Sequence, residues 1–138
     1  MSPAALKTAA RISKYNMIGK ICYSRFQFYD ALLGSLSFKN RPVLIIGAAD
    51  AKDYNVLPIS RVTGRKYLSD TYDFPLDPKD YPLLSLNAKS YVRIHKQSVI
   101  NVQDILFECG GLKTLYPDTY KNILIKLDKF NSELLANA

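Results

Sequence analysis

Two apolar runs of the chain end in polar side chains that suit phosphate chemistry. Arg41 directly precedes the run PVLII, and Ser60 and Arg61 close the segment NVLPISR. If the turn between the runs lies near residue 50 or 51, antiparallel pairing places Arg41 opposite Ser60 or Arg61, with Cβ atoms about 5 Å apart. One residue of register decides which of the two meets Arg41, because a slip reverses the faces.

A guanidinium beside a hydroxyl is an arrangement that suits a phosphodiester. The donors of arginine form a fixed fork that matches phosphate oxygens, and the group stays charged at neutral pH. Arginine therefore stabilises negative charge that builds on phosphorus, whereas it is a poor general base. A serine hydroxyl can orient the group that is cleaved. The simpler alternative is that Arg41 and Ser60 form the solvated rim of a hairpin.

Positive charge is concentrated in the first half of the chain. Residues 1–66 hold eleven lysines and arginines against three aspartates, a net charge of +8, and residues 67–138 hold eight against nine acids, a net charge of −1. Basic surfaces concentrate phosphate backbones, so this asymmetry favours a nucleic-acid partner over a role in solubility alone. The cations predicted to line a groove for RNA phosphates beside the candidate pair are Lys39, Arg61, Arg65 and Lys66.

Length and composition predict one globular domain spanning residues 1–138. The chain is 48% hydrophobic and 22% charged, which is ordinary for a folded domain. It has no apolar run long enough to span a bilayer and no secretory leader, so we expect a cytoplasmic protein without a membrane role. Two distant cysteines, Cys22 and Cys109, and a single histidine indicate neither a disulfide framework nor a metal site. We expect chemistry without metal or cofactor.

Periodicity predicts a small, mainly β (α+β) fold. The predicted elements are a short N-terminal helix over 3–13 within an extension 1–15, a strand over 17–28, a long connection over 29–40, hairpin strands over 42–46 and 55–60, a strand near 67–75, a strand over 90–100 and an amphipathic helix over 117–136. Short strands with one terminal helix are typical of a strongly bent antiparallel sheet or barrel, here over 16–112.

Five segments, taken in order, resemble the MazF/PemK (Kid) toxins of bacterial toxin–antitoxin systems. They are GKICYSRF, RPVLII, NVLPIS, SYVRIHKQSVI and the terminal helix, and together they span roughly residues 18 to 135. The resemblance implies an SH3-like barrel that forms a homodimer and cleaves single-stranded RNA, such as mRNA, without metal. It also implies attack by the RNA 2′-hydroxyl, which leaves a cyclic phosphate and a 5′-hydroxyl.

The resemblance also implies roles for individual residues. The family's catalytic arginine stands immediately before Pro-Val, which is Arg41 here, and its catalytic hydroxyl ends the motif that reads LPIS, which is Ser60. The connection between the first two strands, about 27–40, would gate the RNA cleft. A cognate antitoxin protein would occupy the cleft and the dimer groove, and DNA would be reached only through the antitoxin complex.

The sequence departs from the family pattern at three places. Lys20 stands where the family has aspartate, Ser60 replaces threonine, and the extension through residue 15 has no counterpart in short members. Lys20 either strengthens phosphate binding, the role assigned to it here, or disturbs a structural hydrogen bond. These departures keep a second hypothesis open, a non-catalytic SH3-like module that binds nucleic acid or a protein target such as a topoisomerase.

Two further sets of side chains bear on RNA chemistry. Among the side chains, imidazole has the unperturbed pKa nearest to neutral pH. The single histidine, His95, is therefore chemically better suited than an arginine to act as a general base. A polar residue on the exposed face of a strand is the simpler interpretation, and it predicts that His95→Ala retains most RNA cleavage. The aromatic residues that can stack on bases are Tyr23, Phe26, Phe28 and Tyr29, of which strand alternation places half in the core.

Overall fold

The computed structural model describes residues 16–61 and 64–138, and in that part of the chain it forms seven strands and two helices. The predicted helix over 3–13 lies outside the described residues, as does the side chain of Arg65. The strands are β1 Lys20–Asp30, β2 Ser35–Ala48, β3 Asp53–Ser60, β4 Asp73–Leu76, β5 Ser90–Arg93, β6 Ser98–Asn101 and β7 Ile105–Gly111. The helices are α1 Leu112–Leu115 and α2 Pro117–Ala136, and short 3₁₀ turns occupy Arg65–Tyr67, Ile94–Lys96 and Val102–Asp104.

The strands form one strongly bent antiparallel sheet. Its order is β4-β5-β3-β2-β1-β7, and β6 also pairs with β3. The first half of β3, Asp53 to Val56, pairs with β6, whereas Ile59 and Ser60 at its end pair with β5. β3 therefore joins the two sides of the half-barrel. The predicted mainly β class with a C-terminal helix is confirmed.

The core lies on both faces of the central strands. One apolar cluster joins Ile21, Leu44 and Leu57 to the buried side chains of α2, and the other contains Val43, Ile45, Tyr54 and Val56. Alternate residues of β2 and β3 are thus buried on opposite faces, which explains why both read as continuous apolar runs. Burial holds the ends of these two strands in fixed positions.

The C-terminal helix α2 begins and ends where the periodicity predicts. Pro117 opens it at a position where a missing N–H costs no hydrogen bond. Tyr120, Ile123 and Leu127 are buried against the sheet, at the helical spacing seen in the sequence. In the described part of the chain, no helix combines the length and the apolar character that a membrane span needs.

The prediction of a long connection over 29–40 is wrong, because most of these residues belong to β1 and β2, which continue as a long hairpin arm. β1 runs to Asp30 and β2 starts at Ser35. The Asp30 carboxylate accepts hydrogen bonds from the backbone N–H groups of Leu32 and Leu33, and Gly34 has a φ of +66°. Such a turn is stabilised by an aspartate that accepts from nearby backbone N–H groups and by a glycine that adopts positive φ. The arm lacks the alternation of a buried strand because most of its side chains are exposed on both faces.

Two other strand predictions need correction. The strand predicted over 90–100 is broken by the 3₁₀ turn Ile94–Lys96, because β5 and β6 pair with opposite ends of β3. The strand predicted near 67–75 is limited to β4, Asp73–Leu76. The break matters for the site, because it sets His95 at a corner of the sheet.

Candidate active site

Arg41 and Ser60 meet at the open end of the β2–β3 hairpin. The last backbone pair of this ladder is Val43 with Pro58, and two further residues along each strand reach Arg41 and Ser60. The Nη1 group of Arg41 donates a hydrogen bond of 3.3 Å to Oγ of Ser60. Of the two registers that the sequence leaves open, the structure has the one that pairs Arg41 with Ser60 rather than with Arg61.

The guanidinium of Arg41 is half-buried beside an aromatic ring and a second cation. Its Cζ lies 4.9 Å from the centroid of the Phe26 ring, and its buried Nε has no hydrogen-bond partner among the described residues. Burial, and then the charge of Arg93, lower the pKa of Arg41. A half-buried cation beside a second cation is a site that gains from binding an anion.

An open basic cleft surrounds the pair. Three adjoining depressions are each lined by both Arg41 and Ser60, and the widest has a volume of about 730 Å³. Lys39, Arg61 and Lys66, which the sequence predicts for this surface, all line it. Arg93 and Lys96 add positive charge to the same walls. The cleft therefore matches the charge of a phosphate backbone.

Lys20 is not brought into this cleft. Its Nζ lies 3.3 Å from Oε2 of Glu108 on the neighbouring strand β7. It lines a separate depression with Lys113, and that depression contains neither Arg41 nor Ser60. An exposed ion pair of this kind contributes about 1 kcal/mol or less to stability. The structure thus places Lys20 in a pair at the sheet edge rather than beside the candidate pair.

The hairpin arm carries a ladder of cations and aromatic rings away from Arg41. The register sets Ser24 opposite Arg41 and Phe26 opposite Lys39, so these residues share one face of the arm. The Nζ of Lys39 lies 5.4 Å from the centroid of Phe28, the next ring along that face. Of the four aromatic residues that the sequence offers for base stacking, Phe26 and Phe28 lie on the same face of the arm as Arg41.

A second polar cluster closes one wall of the cleft. The side chain of Asp73, on β4, is 1% exposed, and its Oδ1 lies 2.6 Å from Nε of Arg93. Its Oδ2 accepts a 2.7 Å hydrogen bond from the backbone N–H of Ser69, and Nη2 of Arg93 donates to the carbonyl of Tyr67. These contacts fix Arg93 beside Arg41. His95 lines two of the same depressions as Arg41 and Ser60.

Comparison with known proteins gives a match in structure. No protein-family model matches the chain, and no curated protein does. The solved structure of Mycobacterium tuberculosis toxin MazF-mt6 matches with a TM-score of 0.51 and 23% identity, over 79% of this chain and 96% of that one. The fold is that of the MazF toxins. A second structure, titled an Mtb toxin, matches with a TM-score of 0.50 and 22% identity, over 65% of this chain and 91% of that one.

Within the MazF fold, sequence reasoning missed Asp73, Arg93 and the position of His95. Arg93 and His95 follow the pattern of an exposed strand face, which carries no signal for a cleft. Asp73 pairs in register with Arg93, twenty positions further along the chain, and only the β4–β5 ladder shows this. An aspartate inside a short strand was the one available signal, because a buried carboxylate needs a partner.

Proposed function

We propose that this protein is a toxin endoribonuclease that cleaves single-stranded RNA without a metal ion. The observation that carries the proposal is the Arg41–Ser60 contact at the centre of a basic cleft in a MazF fold. Guanidinium groups there provide the positive charge that phosphoryl transfer requires.

The chemistry is attack by the RNA 2′-hydroxyl on the adjacent phosphorus. As the 2′-oxygen bonds to phosphorus, negative charge grows on the non-bridging oxygens, and the Nη groups of Arg41 stabilise that charge from the side of Ser60. Ser60, already hydrogen-bonded to Arg41, holds the phosphate or the hydroxyl in line. Breakage of the bond to the 5′-oxygen leaves a 2′,3′-cyclic phosphate and a 5′-hydroxyl. Arg93 adds a second fixed positive charge.

The cleft favours a single strand over a duplex. Cations for the backbone are supplied by Lys39, Arg61 and Lys66, with Lys20 left at a distance. Phe26 and Phe28 provide flat surfaces along the arm on which unpaired bases can stack. Stacking on aromatic rings together with phosphate contacts is the usual mode of binding unpaired RNA, and paired bases do not expose their faces to it.

The partners follow from the same proposal. Both similar structures are of proteins described as toxins. We propose a cytoplasmic homodimer that acts on mRNA, is neutralised by a cognate antitoxin protein and reaches DNA only through that complex. The arm leaves Leu32 98% exposed, with Leu33, Leu36 and Phe38 also exposed. An apolar surface of this kind favours burial against a partner.

The test is incubation of the purified protein with a labelled single-stranded RNA and with its duplex, in excess EDTA. We expect cleavage of the single strand and little of the duplex. Added salt should slow cleavage at limiting RNA, because several phosphate contacts are lost together. Binding without cleavage in every buffer would contradict the proposal and favour a non-catalytic binding module. Restoration of activity only by a divalent ion would contradict the metal-independent mechanism.

A further inference from the structure

The Arg41–Ser60 pair leaves one step of the proposed reaction without a residue. Attack by the 2′-hydroxyl releases a proton, and neither a guanidinium nor a serine hydroxyl accepts a proton readily at neutral pH. We propose that His95 is the general base for this step and that the buried carboxylate of Asp73 orients it. This inference rests on the proposed ribonuclease function and goes beyond it by adding a catalytic residue and a positioning residue.

His95 occupies a fixed place in the wall of the cleft. It lies in the 3₁₀ turn Ile94–Lys96, directly after β5. Ile94 is fully buried, and its backbone N–H donates a 2.9 Å hydrogen bond to the carbonyl of Tyr72. The side chain of His95 is 21% exposed and lines two depressions together with Arg41 and Ser60. A substrate phosphate on Arg41 therefore lies in the same cleft as the imidazole.

The Nδ1 edge of the imidazole is turned toward Asp73. Nδ1 is buried and lies 3.8 Å from Oδ1 of Asp73, and it has no hydrogen-bond partner among the described residues. This edge of the ring faces the protein, so the opposite edge, with Nε2, is left for the cleft. The separation exceeds a hydrogen bond, and catalytic contacts commonly shorten when substrate binds. When this gap closes, the Nδ1–H group donates to Asp73 and Nε2 is left to accept a proton.

Several charged groups face the imidazole, and they act in opposite directions. Asp73 on β4 places a negative charge near the ring, whereas Arg93 on β5 and the adjacent Lys96 place positive charges there that repel a cation. The ion pair of Arg93 with Asp73 reduces that repulsion. Arg41 and Ser60 line the same depressions as His95, and the widest of these also contains Lys39, Arg61 and Lys66. The ring centroid of Tyr72 lies 6.5 Å from that of His95, and the Tyr72 hydroxyl donates to Glu133 of α2.

The proposed step balances without a further reactant besides water. The 2′-O–H bond breaks, its proton moves to Nε2 of His95, and the electron pair of the oxygen forms the 2′-O–P bond. The bond from phosphorus to the 5′-oxygen breaks, and that oxygen takes a proton from solvent or from the imidazolium. We therefore predict the opposite of what the strand pattern alone predicts, namely that His95→Ala loses most cleavage.

The test compares His95→Ala and His95→Gln with wild type and with Lys129→Ala, which removes an exposed charge on α2. We expect kcat of both histidine variants to fall by about 10²- to 10⁴-fold with KM little changed. Wild-type kcat should rise with pH to a plateau, and the variants should lose this rise. Added imidazole should restore part of the activity of His95→Ala and none to Arg41→Ala.

A second measurement uses the fact that the chain has one histidine. Diethyl pyrocarbonate should inactivate the folded wild-type enzyme, hydroxylamine should reverse this, and bound RNA should protect. Full activity after modification would overturn the inference, as would a His95→Ala variant with wild-type kcat and pH profile. If wild type cleaves and Arg41→Ala does not, those results overturn the inference alone. If wild type does not cleave RNA, the proposed function and the inference both fail.

Discussion

Arg41→Ala is expected to lower the rate of RNA cleavage by about 10³-fold, with a much smaller loss of RNA affinity. The reason is that its guanidinium faces the charge that develops on the phosphate, and loss of one such preorganised donor typically costs 10²- to 10³-fold. Arg41 offers its Nη groups, of which Nη1 already reaches Ser60 in the cleft. Affinity falls less because Lys39, Arg61 and Lys66 remain in the cleft.

Matched variants separate the role of Arg41 from that of charge in general. Lys129→Ala also removes one positive charge but on an exposed face of α2, so its cleavage rate should equal that of wild type. Arg41→Lys keeps the charge and loses the planar fork, so it should retain only a small part of the activity. Single-turnover rates at saturating RNA provide the measurement. An Arg41→Ala variant that cleaves at the wild-type rate would remove Arg41 from the chemistry.

The second large effect concerns stability. Asp73→Ala should lower the free energy of unfolding by about 3 to 5 kcal/mol, the usual cost of breaking a buried ion pair on one side. The side chain of Asp73 is 1% exposed and that of Arg93 is 16% exposed, so the charge of Arg93 would be left largely buried without its carboxylate partner. The backbone N–H of Ser69 would also lose its acceptor. Urea unfolding, followed by circular dichroism, measures the difference.

Two further variants make the stability result specific. Asp128→Ala removes an exposed carboxylate of α2 and should change the free energy of unfolding by less than about 0.5 kcal/mol. Asp73→Asn keeps an oxygen for Ser69 but loses the charge, and its stability should lie between those of wild type and Asp73→Ala. A loss below about 1 kcal/mol in Asp73→Ala would show that the pair with Arg93 contributes no more than a surface salt bridge.

The parts of the fold that the sequence predicts are those set by local pattern and burial. The helix over 117–136 was predictable because Tyr120, Ile123 and Leu127 recur at helical spacing and are buried. The hairpin that carries Arg41 and Ser60 was predictable because each of its strands is a continuous apolar run. Only the register was left open, and the hydrogen bond between Arg41 and Ser60 decides it.

The parts that the sequence did not predict depend on tertiary pairing. The arm around Gly34 read as a loop because its faces are not buried, so no alternation marks it as a strand. The break at Ile94–Lys96 follows from the change of partner along β3. Asp73 meets Arg93 only through the β4–β5 register. Lys20 lies away from the cleft because it starts β1 opposite Gly111 of β7, where its Nζ pairs with Glu108.

The chemical ends of the RNA products test the central claim most directly. Mass spectrometry of an oligonucleotide cleaved by the wild-type protein in EDTA identifies both ends of each fragment. Attack by the RNA 2′-hydroxyl, stabilised by Arg41, predicts 2′,3′-cyclic phosphate on one fragment and a 5′-hydroxyl on the other. A 3′-hydroxyl with a 5′-phosphate would require attack by water on phosphorus and breakage of the bond to the 3′-oxygen. That result would contradict the account.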